Sequence, residues 1–559
     1  MKVVLTTLNA KYIHKNLALR WIYVSRPPEI QTELLEFVIR DDLQRITDQI
    51  AALQPDLIGL SVYIWNAEQT KRWIRLLQQA LPQVRILIGG PEPTYDPQPW
   101  LQLGIEAVLR GEGERTFWEA VLRKPEVDGL ICNDYVSPVS YARTDLAWLE
   151  TLPSPYWLQM DRPSMAHRYL YLETSRGCPY HCAYCLSSAD NAVRMFSTEY
   201  IRRQLQPLKS LAVKQVKVLD RTFNVMPQRA LAIARMIEEL PPQVNFQFEI
   251  VADTLSEPLL EFFENQADPR RYRFEIGVQS LNPQTLAAVC RRQDNDRLFQ
   301  VSRRLIRRGI HCHLDLIAGL PYEDLASFER SYNGLFALAP HELQTGILKL
   351  LKGTAMQQKA AQWQMRFEEQ APYAVKETAW LSPAQVQRIE KVALATEKIF
   401  NQGRGRQCVV TFLNEHPEIS PFELMEALGR RLAQLPHPYQ LKDLYEQIWQ
   451  ELRGRIAEPE ASARVNTDYQ MISRKRPAML ATQHPDALTQ RAIRQVLVSR
   501  LAFDPQQVYN STSVDLGWHC RQCRIQVIFR DTDQPKRIWL TMNDREVDID
   551  EIDCDCLGQ

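Results

Sequence analysis

Short apolar runs alternate with amphipathic stretches through the first 125 residues of the chain. Lys2–Thr6 and Glu33–Ile39 are apolar, Asp41–Leu53 has helical spacing, and Asp56–Tyr63 reads as a buried strand. Ala67–Leu81 follows as a polar-faced helix. After it come the run Arg85–Ile88, the turn Gly89-Gly90-Pro91, the run Ile105–Leu109 and the helical stretch Glu114–Arg123. Short strands alternating with helices predict a doubly wound, Rossmann-like parallel sheet. Such sheets take ligands in the crevice beyond the carboxyl ends of their strands.

Residues 138–166 carry Pro138, Pro153, Pro155 and Pro163 with little periodicity, and read as a linker. A second β/α series starts at Arg168. Its strands are predicted over Tyr169–Thr174, Val216–Asp220, Asn245–Val251, Arg273–Val278, His311–Ile317 and Thr345–Leu350. Helical patterns such as Pro227–Glu239 and Asp296–Arg308 separate them. Six βα units over this length fit a partial (β/α)6 barrel better than an eightfold one. From about Pro372 to Arg500 the pattern is mainly helical, and it ends in hairpin-like strands at Arg524–Arg530 and Arg537–Met542. The expected division is therefore a sheet domain over 1–137, a linker over 138–166, a barrel over 167–360 and a C-terminal domain over 361–559.

Composition narrows the class. The 559 residues carry 67 Lys plus Arg against 67 Asp plus Glu, so no overall charge favours nucleic acid or a membrane surface. The N-terminus lacks a signal-peptide pattern, and no apolar stretch approaches the ~18 residues needed to span a bilayer. Eleven Cys in such a chain read as thiols and metal ligands rather than a disulfide framework. The expected location is the cytoplasm.

The densest chemistry is in ETSRGCPYHCAYCL, residues 173–186. Cys178, Cys182 and Cys185 form a CxxxCxxC pattern just after a predicted strand. Three thiolates hold three irons of a 4Fe–4S cubane and leave the fourth iron open for a ligand. The competing zinc reading needs a fourth ligand, which His181 or His167 would have to supply.

On these cysteines and the βα series behind them, the stretch 165–355 resembles the radical S-adenosylmethionine (SAM) superfamily. The resemblance implies an oxygen-sensitive cluster whose open iron is chelated by the amino and carboxylate groups of SAM. Reductive cleavage of SAM to a 5′-deoxyadenosyl radical follows from it, as does an electron donor such as a flavodoxin or ferredoxin. It also implies SAM contacts at Tyr184, Asp220, Asn224, Glu249, Gln279, Ser280 and Gly319. The sheet preceding the barrel is similar to that of the cobalamin-binding members of the group, in IGLSVYIWNAEQT (58–70), ILIGGPEPT (86–94) and VLRGEGERTFWE (108–119). That likeness implies cobalamin contacts at Asn9, Tyr12, Ser61, Trp65, Asn66, Gly89, Gly90, Pro91, Arg110, Gly111, Glu112 and Gly113. The DxHxxG motif that supplies a cobalt-ligating His in cobalamin-dependent methyltransferases is absent. NAKYIHKN (9–16) stands in its place, and His14 reads as a helix-start residue near the rim.

The activity implied is methyl transfer to an unactivated carbon of an unknown substrate. A ring-forming or rearrangement reaction, like that of the anaerobic magnesium-protoporphyrin ester cyclases, and a non-catalytic cobalamin or iron–sulfur sensor are the alternatives. Methylthiolation of tRNA or protein is disfavoured, because the three-Cys N-terminal cluster and basic RNA-binding tail expected for it are missing and the net charge is zero. Near the C-terminus, the CxxC of Cys520 and Cys523 and the CxC of Cys554 and Cys556 fit a structural zinc or a second iron–sulfur cluster, provided a sheet joins them. Cys132, Cys290, Cys312 and Cys408 read as small core residues, and GRGR (403–406) and SRKRP (473–477) as solvated charge.

Overall fold

The computed structural model describes residues 1–189, 192–473, 487–499, 505–506, 512–520, 523–529, 536–543 and 546–548. It divides into two compact units. One takes in 1–328, 338–340 and 347–383; the other takes in 329–337, 341–346 and 384 onward.

The first unit opens with a six-stranded sheet formed by β1 (Lys2–Asn9), β2 (Gln31–Val38), β3 (Leu57–Ser61), β4 (Arg85–Gly89), β5 (Ala107–Leu109) and β6 (Leu130–Ile131). The strand order is β2-β1-β3-β4-β5-β6, parallel except for the antiparallel β5–β6 edge. Apolar residues on both faces explain the layering. Val4, Ile58, Ile86 and Val108 pack against Ile50 of helix Leu43–Ala51 and Trp73 and Leu77 of helix Ala67–Ala80. Val3, Leu5, Leu57 and Leu109 pack on the other side with Leu19 of helix Leu17–Val24 and Phe117 and Trp118 of helix Thr116–Val121. Strands covered on both faces form near-continuous apolar runs, which is why this sheet was readable. Helix Leu17–Val24, capped by the Asn16 side chain on Leu19 N–H, had not been anticipated.

A second six-stranded sheet uses β7 (Leu170–Leu172), β10 (Gln215–Val218), β11 (Asn245–Ile250), β12 (Tyr272–Gln279), β13 (His311–Ala318) and β14 (Glu342–Ile347), in the order β14-β13-β12-β11-β10-β7. Between β7 and β10 lies a small antiparallel pair, β8 (Ser175–Arg176) with β9 (Arg194–Met195). Burial along β12 and β13 strictly alternates. Phe274, Ile276, Leu314 and Leu316 are buried, while Arg273, Glu275, His313 and Asp315 point the other way and are half-buried. A parallel strand with one polar face is the mark of a sheet whose second face lines a space rather than a core.

The second unit is mainly helical, with helices such as Arg406–Glu415, Pro421–Leu432, Leu441–Leu452 and Glu458–Ile472. Phe412, Phe422, Tyr445, Ile448 and Tyr469 are buried in it. It ends in four antiparallel strands, Thr512–Cys520, Cys523–Phe529, Lys536–Asn543 and Glu546–Asp548, a larger sheet than the hairpin expected. Arg406 of the GRGR stretch is not solvated charge: its guanidinium stacks 4.0 Å over Phe400 and donates to the His341 carbonyl. Most of SRKRP lies outside the described residues. No helix among the described residues is long and apolar enough to cross a membrane.

Candidate functional site

The carboxyl ends of β1, β3, β4 and β5 open into one cavity of about 770 Å³. Asn9, Ser61, Trp65, Gly89, Gly90, Pro91, Gly111, Glu112 and Gly113 all line it. Tyr12, Asn66 and Arg110 are not among the lining residues. Tyr12 is exposed beneath the Arg168 guanidinium. Asn66 is fully buried, and its amide donates to the Leu8 carbonyl at 3.0 Å while its oxygen accepts from Tyr63 N–H at 2.8 Å. It shapes the loop rather than facing the space. The backbone itself forms the wall at two glycines. Gly90 has φ +107°, and a Cβ there would lie 2.3 Å from the Val62 carbonyl oxygen; Gly111 has φ +95° and meets Ala142 at 2.4 Å. The cavity also extends inward past Gly59, Leu87, Leu109, Phe117 and Ile22, an apolar slot between the sheet and its helices. A concave site of this size with an apolar recess and small-residue walls accepts a large, flat ligand.

His14 lies in the same cavity, short of the helix start that Asn16 caps. Its Nδ1 is 2.6 Å from the Tyr171 hydroxyl. Burial, with Lys217, Lys11 and Arg168 nearby, holds its pKa below the usual histidine value and favours the neutral ring.

The far wall is the cysteine loop. Glu173, Ser175, Arg176, Gly177, Leu186 and Ser187 face the cavity, and Cys178 follows directly. β8 and β9 close the base of the loop. Ala183 N–H donates to the Val289 carbonyl at 2.9 Å, Met356 N–H to the Ala183 carbonyl at 2.8 Å, and Cys185 N–H to the Cys182 carbonyl at 3.0 Å. Cys178 and Cys182 are buried and Cys185 half-buried, and all three are free thiols. Burial pushes the Cys178 thiol up, and Cys185 and Cys182 add to the shift. Three free thiols on one short loop form a donor set that a polycationic cluster would neutralise. Among the described residues no three His, Cys, Asp or Glu side chains converge on a single metal ion.

The residues assigned to SAM divide by environment. Asp220 is buried and turned to the strand before the cysteines. It accepts from Thr174 N–H at 2.7 Å, Ser175 N–H at 3.0 Å, and the hydroxyls of both residues at 2.5 and 2.8 Å. Asn224 is matched to Val251, donating at 2.9 Å and accepting at 3.0 Å. The Ser280 hydroxyl donates to Glu323 at 2.5 Å. These three side chains brace loops. Gln279 ends β12 at φ +68° beside a register shift, Gly319 turns at φ +95°, and Tyr184 sits beside Cys182. Glu249 is half-buried and has Arg221 at 3.5 Å. Burial, opposed by Arg221 and reinforced by Glu275 and Asp315, pushes its carboxyl up to about 7. None of the seven lines the large cavity. Sequence reading missed Arg291, whose Nη1 reaches Cys182 Sγ at 3.9 Å and whose Nε donates to Gln293 at 3.0 Å. A cation on a helix-following turn carries no spacing signal.

The other cysteines sort unevenly. Cys312 and Cys408 are buried as expected, whereas Cys290 is exposed at φ +56°, so it is not a core residue. Cys520 and Cys523 are backbone partners in the register of two antiparallel strands, and Cys554 and Cys556 lie outside the described residues.

Sequence comparison assigns both halves of the first unit. Residues 3–121 match the B12 binding domain and residues 172–334 the radical SAM superfamily. The chain joins a B12-binding domain to a radical SAM domain. Residues 361–536 match a protein family of unknown function, DUF4080. The 2-(S-pantetheinyl)-carbapenam-3-carboxylate methyltransferase of Streptantibioticus cattleyicolor is 27% identical over 317 residues, 52% of this chain and 46% of that protein. The cobalamin-dependent radical SAM methyltransferase TokK of Streptomyces tokunonensis is 27% identical over 328 residues, 54% and 47% of the two chains. The chain thus spans about half the length of these relatives. Two solved structures share the fold. The cobalamin-dependent SAM radical enzyme OxsB with aqua-cobalamin bound superimposes with a TM-score of 0.59 at 17% identity, covering 84% of this chain and 79% of that one. The radical SAM methyltransferase TsrM of Kitasatospora setae, with cobalamin and a [4Fe-4S] cluster bound, gives 0.56 at 16% identity, covering 69% and 81%.

Proposed function

We propose that this chain is a cobalamin-dependent radical SAM enzyme that transfers a methyl group to an unactivated carbon. The observation that carries the reading is one cavity bounded by the sheet's glycine-rich loops on one side and by the base of the cysteine loop on the other. When bound, the cluster supplies the electron that cleaves SAM to the 5′-deoxyadenosyl radical, and cobalamin carries the methyl group.

The chain's own residues hold and shield these groups. Cys178, Cys182 and Cys185 ligate three irons. Arg291 sets a cation beside Cys182, Asp220 braces Thr174 and Ser175 just before the cysteines, and Asn224 ties the loop after β10 to Val251. Glu249, Gln279, Gly319 and Tyr184 are assigned to SAM, and Gly90, Pro91, Gly111 and Gly113 to the corrin. His14 has its Nδ1 engaged by Tyr171 and is not assigned to cobalt. Residues 1–137 form the corrinoid domain, 167–360 the radical SAM domain and 361–559 a further C-terminal domain. The electron donor is assigned as a low-potential flavodoxin or ferredoxin, and the protein is assigned to the reducing cytoplasm that such a cluster requires.

The test needs no substrate. Reduced protein loaded with cluster and cobalamin is incubated anaerobically with SAM, and two products are quantified. Both S-adenosylhomocysteine, from methyl donation, and 5′-deoxyadenosine, from the radical, are expected. 5′-Deoxyadenosine without S-adenosylhomocysteine would point to cyclase-type chemistry, and neither product would point to a sensor.

A further inference from the structure

The two ends of the cysteine loop converge on one carboxylate from the sheet domain. Arg176, two residues before Cys178, reaches Glu112 at 3.1 Å, Glu114 at 2.7 Å and Glu173 at 3.0 Å, and it is almost fully buried. Arg194, at the exit of the loop in β9, makes an ion pair with the same Glu112 and donates to the Thr144 carbonyl at 2.8 Å. Glu112 has no freedom to follow only one of them. Its carboxylate also accepts from Thr144 N–H at 2.7 Å, and its own N–H donates to the Ala142 carbonyl at 2.9 Å. Gly111 beside it has no room for a side chain. Burial alone would raise the Glu112 carboxyl, yet Arg176 and Arg194 hold it below the usual carboxylate range. It is therefore ionised and clamped.

We propose that Glu112 couples the two cofactor sites, so that filling the corrinoid site tightens the cluster site and the reverse. The argument rests on the reading of both sites given above. Its physical basis is that the turn 111–114 is at once a wall of the cavity and the anchor for both ends of the loop carrying Cys178, Cys182 and Cys185. A corrinoid that orders the turn fixes Glu112, and Glu112 fixes the loop ends. Coupling of this kind is reciprocal by thermodynamic necessity. Glu112 acts here as a positioning residue and touches no reacting atom in the proposal.

The experiment is an anaerobic titration of hydroxocobalamin into full-length protein, read by the visible absorption spectrum. It is performed with the cluster reconstituted and with the cluster removed. In the wild type, the cluster is expected to raise cobalamin affinity about 5- to 150-fold, the usual range for coupled sites. In Arg194→Gln the ratio is expected to fall toward one, with each cofactor still able to bind alone, and in Glu112→Gln the ratio is expected to fall likewise. Arg194→Gln spares the more buried Arg176 and answers the question if Glu112→Gln does not fold. A wild-type ratio near one, or a full ratio retained in Arg194→Gln, overturns the coupling while leaving both cofactor sites intact. Failure of cobalamin or of iron to bind at all would instead overturn the functional reading beneath it.

Discussion

At Gly90 the backbone turns with φ +107°, and any side chain would press on Val62. Gly90→Ala is therefore expected to cost about 1–3 kcal/mol, the usual scale for a strained non-glycine position. It should lower the thermal midpoint and weaken cobalamin binding while the iron content stays unchanged; unchanged cobalamin affinity would show that this loop does not touch the corrin. Asp220 illustrates a different residue-scale constraint. Its type and strand-end position drew it into the SAM set, but no sequence pattern tells which way a carboxylate turns, and here four donors from Thr174 and Ser175 converge on it. Burial raises its pKa despite those bonds. Asp220→Asn places an amide NH2 against donors and should cost about 1–3 kcal/mol. Iron incorporation is expected to fall with it, because the strand it braces leads into Cys178. The three cysteines were legible because their spacing is itself the signal. Arg291 and Glu112–Arg176 were not, since each depends on contacts between residues far apart in sequence.

At the scale of elements, the helix Leu17–Val24 is tied down by a buried ionic knot. Arg20 donates to Asp161 through Nε and Nη2, both at 2.8 Å, and to Glu36 at 2.7 Å. Burial alone would raise both carboxyls, but the Arg20 guanidinium holds them below the usual carboxylate range. A depressed carboxyl contributes stability that is present above its unfolded pKa, about 4, and is lost as pH falls through its folded value. Arg20→Met leaves two buried carboxylates short of a cation and should cost about 3–5 kcal/mol at neutral pH. The gap to wild type should narrow as pH drops below about 4, because protonation relieves the variant and removes the benefit from the wild type. Denaturant midpoints at neutral and acidic pH check this, and a pH-independent gap would show that packing rather than charge sets the cost. The helix itself was missed because LALRWIYV is apolar nearly all round and only its Asn16 cap marks it. The first sheet was legible through its continuous apolar strands. The polar face of the second was present in FQFEI, YRFEIGVQ and HCHLDLIA as a two-residue alternation, but a strand count alone does not say that this face borders an open space.

For the whole molecule, the order of domains was readable from the change in pattern at the proline-rich linker. What the third region does was not, because helices packed with Phe412, Phe422 and Tyr445 carry no chemistry in their spacing. The paired strand positions of Cys520 and Cys523 leave the zinc or second-cluster reading to the same assay that decides the central claim. That assay is a count of iron, sulfide, cobalt and zinc per chain after anaerobic reconstitution with excess cobalamin. The account predicts about four irons and one cobalt, with iron lost when Cys178, Cys182 and Cys185 are all replaced by Ala and cobalt still bound at saturating cobalamin. A second set of irons, or one zinc, that survives those replacements would assign the C-terminal cysteines. A wild-type protein that takes up cobalt but no iron at these three cysteines, or a single zinc in their place, would contradict the account.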